Sequence, residues 1–322
     1  MRAISSLYAP IRRELAGVEE TLQRVATPDS PWLAEMLSAV LFKGGKRMRP
    51  AVALLSGKFG SRSEAPLVPL AAALELLHTA SLVHDDIIDS AGMRRGRPTA
   101  SSLFDNHSAV VLGDYIFAVA AVLVAQTGNV EVTSLFAQTM IDMAQAELSE
   151  DRSAFRYDQS LDEYLRRIRG KTASLFAVAA QGGALAADAP DAVARPLQAY
   201  GDNLGMEFQI VDDILDFDGD AEEMGKPVGS DLMQGTLTLP SLLLVQRYPE
   251  DNPVKPLFDA RGDSGLLARC IEMVKESGIL EESYAVARDY RDRACRSLRG
   301  LPSGAPRDAL EGLADYVLER RS

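Results

Sequence analysis

Apolar residues recur at three- and four-residue spacing through most of the chain, and β-branched residues do not alternate with polar ones. That is the period of a helix with one buried face, not of a strand. The pattern predicts helices near Leu7–Arg24, Trp32–Phe42, Arg49–Phe59, Ala65–Asp89, Ala100–Gln126, Glu131–Glu150, Leu161–Ala187, Ala192–Asp216, Leu237–Tyr248, Gly265–Ser277, Glu281–Arg299 and Arg307–Arg320. Pro and Gly fall mostly between these segments, at Pro28 and Pro31, Gly44 and Gly45, Gly92 and Gly96, Pro190, Gly225 to Gly229, Pro249 to Pro256, and Pro302 to Pro306. Pro196 and Pro240 lie near predicted helix starts, where a missing N–H costs little. None of these interruptions is long enough to be a linker, so one all-α domain over residues 1–322 is expected.

Composition narrows the function. The 34 Lys+Arg against 46 Asp+Glu give a formal charge of −12, which argues against a generic nucleic-acid binder. Hydrophobic residues at 47% are enough for a large core and exclude disorder. The longest runs without a charged residue, Tyr115 to Val130 and Thr172 to Ala187, are 16 residues each. A spanning helix needs roughly 20, so no transmembrane segment is expected and any membrane contact is peripheral. The first residues carry arginines but no apolar signal region, so a cytoplasmic setting is expected. Cys270 and Cys295 have no metal-like spacing, and the three histidines are scattered.

The chemistry is signalled by a repeat. LVHDDIID at Leu82–Asp89 matches QIVDDILD at Gln209–Asp216, and the leading aspartates are 127 positions apart. On a helix Asp85 and Asp89 stand one turn apart on one face with Asp86 beside them. Three carboxylates flanked by Leu82, Val83, Ile87 and Ile88 repel one another, and the cluster becomes favourable once a cation neutralises it. Oxygen-only ligands point to a hard ion such as Mg²⁺, and Mg²⁺ commonly bridges one or two carboxylates to substrate phosphates. Asp212, Asp213 and Asp216 repeat the pattern. One isolated DDxxD is usually a solvated helix face, but two copies in apolar surroundings reverse that reading.

Local cations supply the phosphate side. Lys43, Lys46, Arg47 and Arg49 crowd the FKGGKRMRP turn ahead of a predicted helix N-terminus. Arg94, Arg95 and Arg97 follow the first acidic cluster, with Lys171 in RGKTASLF and Lys226 in MGKPVGSD. Each alone reads as a solvated loop. Together they provide two anion sites, one fed through metal and one by bare cations.

With these pieces in order, the chain resembles the trans-isoprenyl diphosphate synthases, or polyprenyl synthetases. The matching segments are GGKRMRP at 44–50, ELLHTASLVHDDIIDSAGMRRGRPT at 75–99, GDYIF at 113–117, GKTASLF at 170–176, FQIVDDILDFDGD at 208–220 and GKPVGSDLMQGTLTLP at 225–240. The resemblance implies an isoprenoid-synthase fold, a single-domain helical bundle around a deep central cavity across which the two aspartate motifs face each other. It implies Mg²⁺, three ions per active site, and a homodimer. It also implies condensation of isopentenyl diphosphate with an allylic diphosphate. Residue by residue, Asp85, Asp86 and Asp89 match the first metal site and Asp212, Asp213 and Asp216 the second. Arg94, Lys171, Thr172 and Lys226 match contacts to the allylic diphosphate, with Gln209 close by. Lys46, Arg49, His78 and Arg95 match the isopentenyl diphosphate site. One position departs: Thr236 stands in GTLTLP where the family commonly has Lys. His84 is read as a packing residue.

Product length is read from the turn before Asp85. Ala80 and Ser81 are small where short-chain members commonly carry aromatics, so the tunnel is expected to be open and the product to exceed C20. Small Ala118, Ala120 and Ala121 follow on the next helix, where Tyr115 or Phe117 forms a floor, although these alanines equally suit close helix packing. The alternatives are a farnesyl or geranylgeranyl diphosphate synthase, a class I terpene cyclase, which usually lacks the second aspartate motif, and a non-catalytic synthase subunit, which typically loses one motif.

Overall fold

The computed structural model describes residues 4–42, 45–62, 66–94, 96–219 and 227–320. These are almost entirely helical, as the spacing predicts. The main helices are α1 (Arg12–Val25), α2 (Pro31–Leu41), α3 (Met48–Gly57), α4 (Leu67–Ile88), α5 (Asn106–Ala125), α6 (Val130–Ser153), α7 (Leu161–Ile168), α8 (Ser174–Ala186), α9 (Asp191–Asp218), α10 (Leu239–Arg247), α11 (Val254–Ala260), α12 (Ser264–Glu276), α13 (Ile279–Ser297) and α14 (Ala305–Glu319). Two-residue strands Met93–Arg94 and Arg97–Pro98 pair antiparallel about Gly96, whose φ of 70° suits a tight hairpin turn.

Three predicted helices are corrected. The first is broken at Pro10 into a short turn, a 3₁₀ segment and α1. The segment Ala100–Gln126 divides, because the Asp105 carboxylate accepts from the Ser108 amide at 2.7 Å and caps a new helix. Leu161–Ala187 is interrupted by a π turn at Arg169–Ala173, which separates α7 from α8. The short α11 lies where Pro249 to Pro256 predicts only a loop.

The chain divides into two compact units interleaved in sequence. The first contains Met1–Gln138, Leu175–Gly201 and Ser297–Leu313. Its centre is α4, packed against α1, α3 and α5, with Leu70, Leu74, Leu76 and Ala80 fully buried. A helix apolar on nearly all sides belongs in such a position, and each buried Leu contributes roughly 1.5–3 kcal/mol. The second unit contains Thr139–Ser174, Asp202–Arg296 and Ala314–Ser322. Tyr164, Ile210, Ile214, Phe217 and Leu244 are fully buried within it.

By length and composition alone, α4 and α5 are each long and apolar enough to cross a membrane, a test that a core helix buried inside a protein also meets. Two-thirds of the α4 window is buried, whereas α5 is 39% buried and leaves Val110, Val111, Tyr115 and Val122 exposed.

Candidate active site

In the first unit, α4 ends in the first aspartate motif. Asp85 is half-buried, Asp86 is buried and Asp89 is exposed at the helix C-cap. The hairpin after the helix returns Arg94 to the motif, and its Nε donates to Asp86 Oδ1. This buried carboxylate is therefore compensated by a cation also predicted to bind diphosphate. His84 faces α5: its Nε2 lies 3.0 Å from the Val110 carbonyl, and its ring meets Phe117 edge-on at 5.4 Å. A Cβ on Gly113 would lie 2.1 Å from that imidazole, which explains the glycine of GDYIF. One turn before Asp85, Ala80 is fully buried, and Ser81 Oγ donates to the half-buried His78 carbonyl at 2.9 Å.

The cationic turn sorts into two roles. Arg47 adopts φ 49° just before α3 and is held by Glu19 at 2.7 Å, Glu75 at 2.7 Å and the Leu41 carbonyl. It is structural, a role its position in a basic run conceals. Lys46 is exposed, with its carbonyl accepting from the Tyr8 hydroxyl. Arg49 lies over the Phe176 ring at 4.6 Å.

In the second unit, α9 carries the second motif with Asp212 half-buried and Asp213 and Asp216 buried. Each carboxylate already has donors. The Tyr164 hydroxyl donates to Asp213 Oδ2 at 2.7 Å, and Gln209 Nε2 donates to Oδ1 at 2.7 Å. Thr172 Oγ1 donates to Gln209 Oε1 at 2.6 Å, so Thr172, Gln209, Asp213 and Tyr164 form one chain of hydrogen bonds. Ser230 Oγ donates to Asp216 Oδ1 at 2.8 Å, and the Asp231 amide donates to Oδ2 at 3.3 Å. Arg320 Nη2 donates to Asp212 Oδ1 at 3.3 Å and to the Phe208 carbonyl at 2.7 Å. Lys171, on the π turn, pairs with Glu147 and Glu150.

Burial is the first cause that pushes the Asp213 carboxyl up to about 8, reinforced by the charge of Asp231 and opposed by its donors Gln209 and Tyr164. Glu207 is also raised well above its ordinary value by burial, and its two carboxyl oxygens have no hydrogen-bond partner among the described residues.

Thr236 is half-buried, its amide donating to the Asp231 carbonyl at 2.9 Å. Gly235 beside it has φ 86°, and a Cβ there would lie 2.7 Å from the Phe155 ring. Arg95 and Lys226 lie outside the described residues. Among the described residues no three His, Cys, Asp or Glu groups converge as a closed ligand set. Tyr164, Arg320, Ser230 and Asp231 escape sequence reasoning, because their partnerships with the aspartates carry no local pattern.

The family model for polyprenyl synthetase matches residues 30–274. The chain belongs to the polyprenyl synthetase family. It is similar to heptaprenyl diphosphate synthase component 2 of Geobacillus stearothermophilus, 42% identical over 98% of this chain and 99% of that protein. It is also similar to the chloroplastic solanesyl-diphosphate synthase 2 of Oryza sativa subsp. japonica, 35% identical over 99% of this chain and 80% of that one. Among solved structures, the polyprenyl synthase of Caulobacter crescentus CB15 complexed with calcium and isoprenyl diphosphate matches with a TM-score of 0.94 and 31% identity, covering 99% of this chain and 98% of that one. Polyprenyl synthetases are prenyltransferases with an all-α isoprenyl synthase fold, and this chain shares both the fold and the enzyme class.

Proposed function

We propose that this polyprenyl synthetase condenses isopentenyl diphosphate with an allylic diphosphate, head to tail, to give a trans-polyprenyl diphosphate longer than C20, and that residues 1–322 form one such domain. The observation that carries the length is Ala80, fully buried with only a methyl side chain one turn before Asp85. The heptaprenyl and solanesyl names of its relatives support the same reading.

Asp85, Asp86 and Asp89, with Asp212, Asp213 and Asp216, are the oxygen ligands for Mg²⁺, three ions per active site. When bound, Mg²⁺ supplies charge neutralisation and Lewis-acid pull on the leaving diphosphate. Arg94, Lys171 and Lys226 bind the allylic diphosphate, Thr172 and Gln209 orient it, and Lys46, Arg49, His78 and Arg95 bind isopentenyl diphosphate. These cations stabilise the charge that develops as the allylic C–O bond breaks. The isopentenyl double bond attacks the resulting carbocation, a C–C bond forms, and a proton leaves to the released diphosphate. No protein nucleophile is needed. Thr236 cannot supply the cation expected at its position, and Lys171 and Lys226 carry that role.

A homodimer is part of this reading, supported by the exposed apolar stripe of Val111, Tyr115 and Val122 on α5. The name "component 2" in one relative favours a second arrangement, in which a different subunit completes the enzyme.

Purified protein incubated with Mg²⁺, labelled isopentenyl diphosphate and farnesyl diphosphate should give products longer than C20 after dephosphorylation and chromatography. Ala80→Phe should shorten them. A stop at C20 in the natural chain would make it a short-chain synthase. No elongation from farnesyl, geranyl or dimethylallyl primers by the protein alone would favour the two-component or non-catalytic reading.

A further inference from the structure

Asp212 takes a hydrogen bond from a cation distant in sequence, Arg320, while the Tyr164 and Ser230 hydroxyls donate to Asp213 and Asp216. Arg320 directly follows α14, and its side chain is only 7% exposed. Its guanidinium stacks on the Phe208 ring at 4.0 Å while Nη2 bridges the Phe208 carbonyl and Asp212 Oδ1. The Asp212 side chain is 45% exposed, so its open side faces solvent. No hydrogen bond joins Arg320 to the buried Glu207, since both Glu207 oxygens and Arg320 Nε lack partners among the described residues. The positive charge is thus fixed by the stack and the carbonyl; it acts on the buried Glu207 through space, and Asp212 is the carboxylate that it hydrogen-bonds.

We propose that Arg320 is a positioning residue that keeps Asp212 neutralised, so that the second aspartate motif takes up its divalent ion together with the diphosphate and not before it. This rests on the reading of Asp212 as a ligand for the divalent ion. A dication arriving alone would meet a buried guanidinium already bonded to its carboxylate. Repulsion between the two positive charges at such short range outweighs the gain from a pre-oriented carboxylate. A diphosphate brings enough negative charge to reverse that balance. Arg320 does not swing aside in this scheme, because leaving would uncover the Phe208 ring and give up the hydrogen bond to the Phe208 carbonyl.

The test uses the full chain, with Mn²⁺ in place of Mg²⁺ and free Mn²⁺ followed by electron paramagnetic resonance, with and without inorganic pyrophosphate. Without pyrophosphate, Arg320→Gln should bind Mn²⁺ roughly 5- to 20-fold more tightly than the natural chain. Arg320→Lys, which keeps the charge but loses the planar stack, should stay near the natural value. Asp212→Asn should cost little Mn²⁺ affinity without pyrophosphate and roughly tenfold or more with it. Unchanged or weaker Mn²⁺ binding in Arg320→Gln would overturn the proposal, as would Arg320→Lys behaving like Arg320→Gln. If Arg320→Gln does not fold by circular dichroism, the Asp212→Asn comparison decides, and equal losses in both conditions overturn the proposal. Should Asp212→Asn alter Mn²⁺ binding in neither condition, the metal-ligand reading of Asp212 fails as well.

Discussion

Asp213 sets burial against charge. Its carboxyl is buried between Tyr164 and Gln209 and keeps its proton to about pH 8. The unfolded chain releases the same proton near pH 4, the ordinary aspartate value. Between these limits the unfolded state binds fewer protons, so the metal-free protein loses stability as pH rises, by up to about 1.4 kcal/mol per pH unit. Asp213→Asn should flatten that part of the slope in urea unfolding run with a chelator from pH 5 to 8. An identical slope in the variant would show that Asp213 does not hold its proton. The aspartates themselves are legible in the sequence because the repeat announces them. Tyr164 is not, because it lies 49 positions from Asp213 on an ordinary amphipathic helix. Arg320 lies 108 positions from Asp212, again with no local sign of the pairing.

Helices are legible where burial imposes a period, as in α4, and less so where side chains compete with the backbone. Asp105 ends one helix and starts another by capturing the Ser108 amide, which a count of apolar residues does not register. Close approach of elements is equally hidden. Gly113 lets α5 meet α4 at His84, whose ring is fixed by the Val110 carbonyl and Phe117. Gly→Ala within a helix ordinarily stabilises by up to about 1 kcal/mol. At Gly113 the sign should reverse, with a loss of roughly 1–3 kcal/mol from overpacking. His84→Ala in the same chain should recover most of that loss in thermal melts. Stabilisation by Gly113→Ala alone would mean that the imidazole moves away at little cost.

For the whole molecule, a formal charge of −12 coexists with four motif carboxylates, Asp86, Asp212, Asp213 and Asp216, that take hydrogen bonds from within the chain. The charge also leaves uncharged surface conspicuous. Val122, 61% exposed on α5, sits in an apolar stripe that a second copy of the chain would cover. Val122→Asp should halve the mass in light scattering at micromolar concentration, through the cost of burying an unpaired carboxylate. A natural chain already monomeric would remove the homodimer from the proposed function. The stripe is partly legible in the sequence as the charge-free run from Tyr115, but a helix period alone does not tell a covered face from an open one.

The π turn at Arg169–Ala173 acts as a vernier between two rulers. Tyr164 and Thr172 are eight positions apart, and on an unbroken α-helix eight steps of about 100° leave two side chains roughly 80° out of phase. Absorbing one extra residue in a wider turn brings the pair back to within about 20° of the same meridian. That is why a tyrosine and a threonine from one helical rod both reach the Gln209–Asp213 couple, and why the Lys171 between them is carried on the bulge.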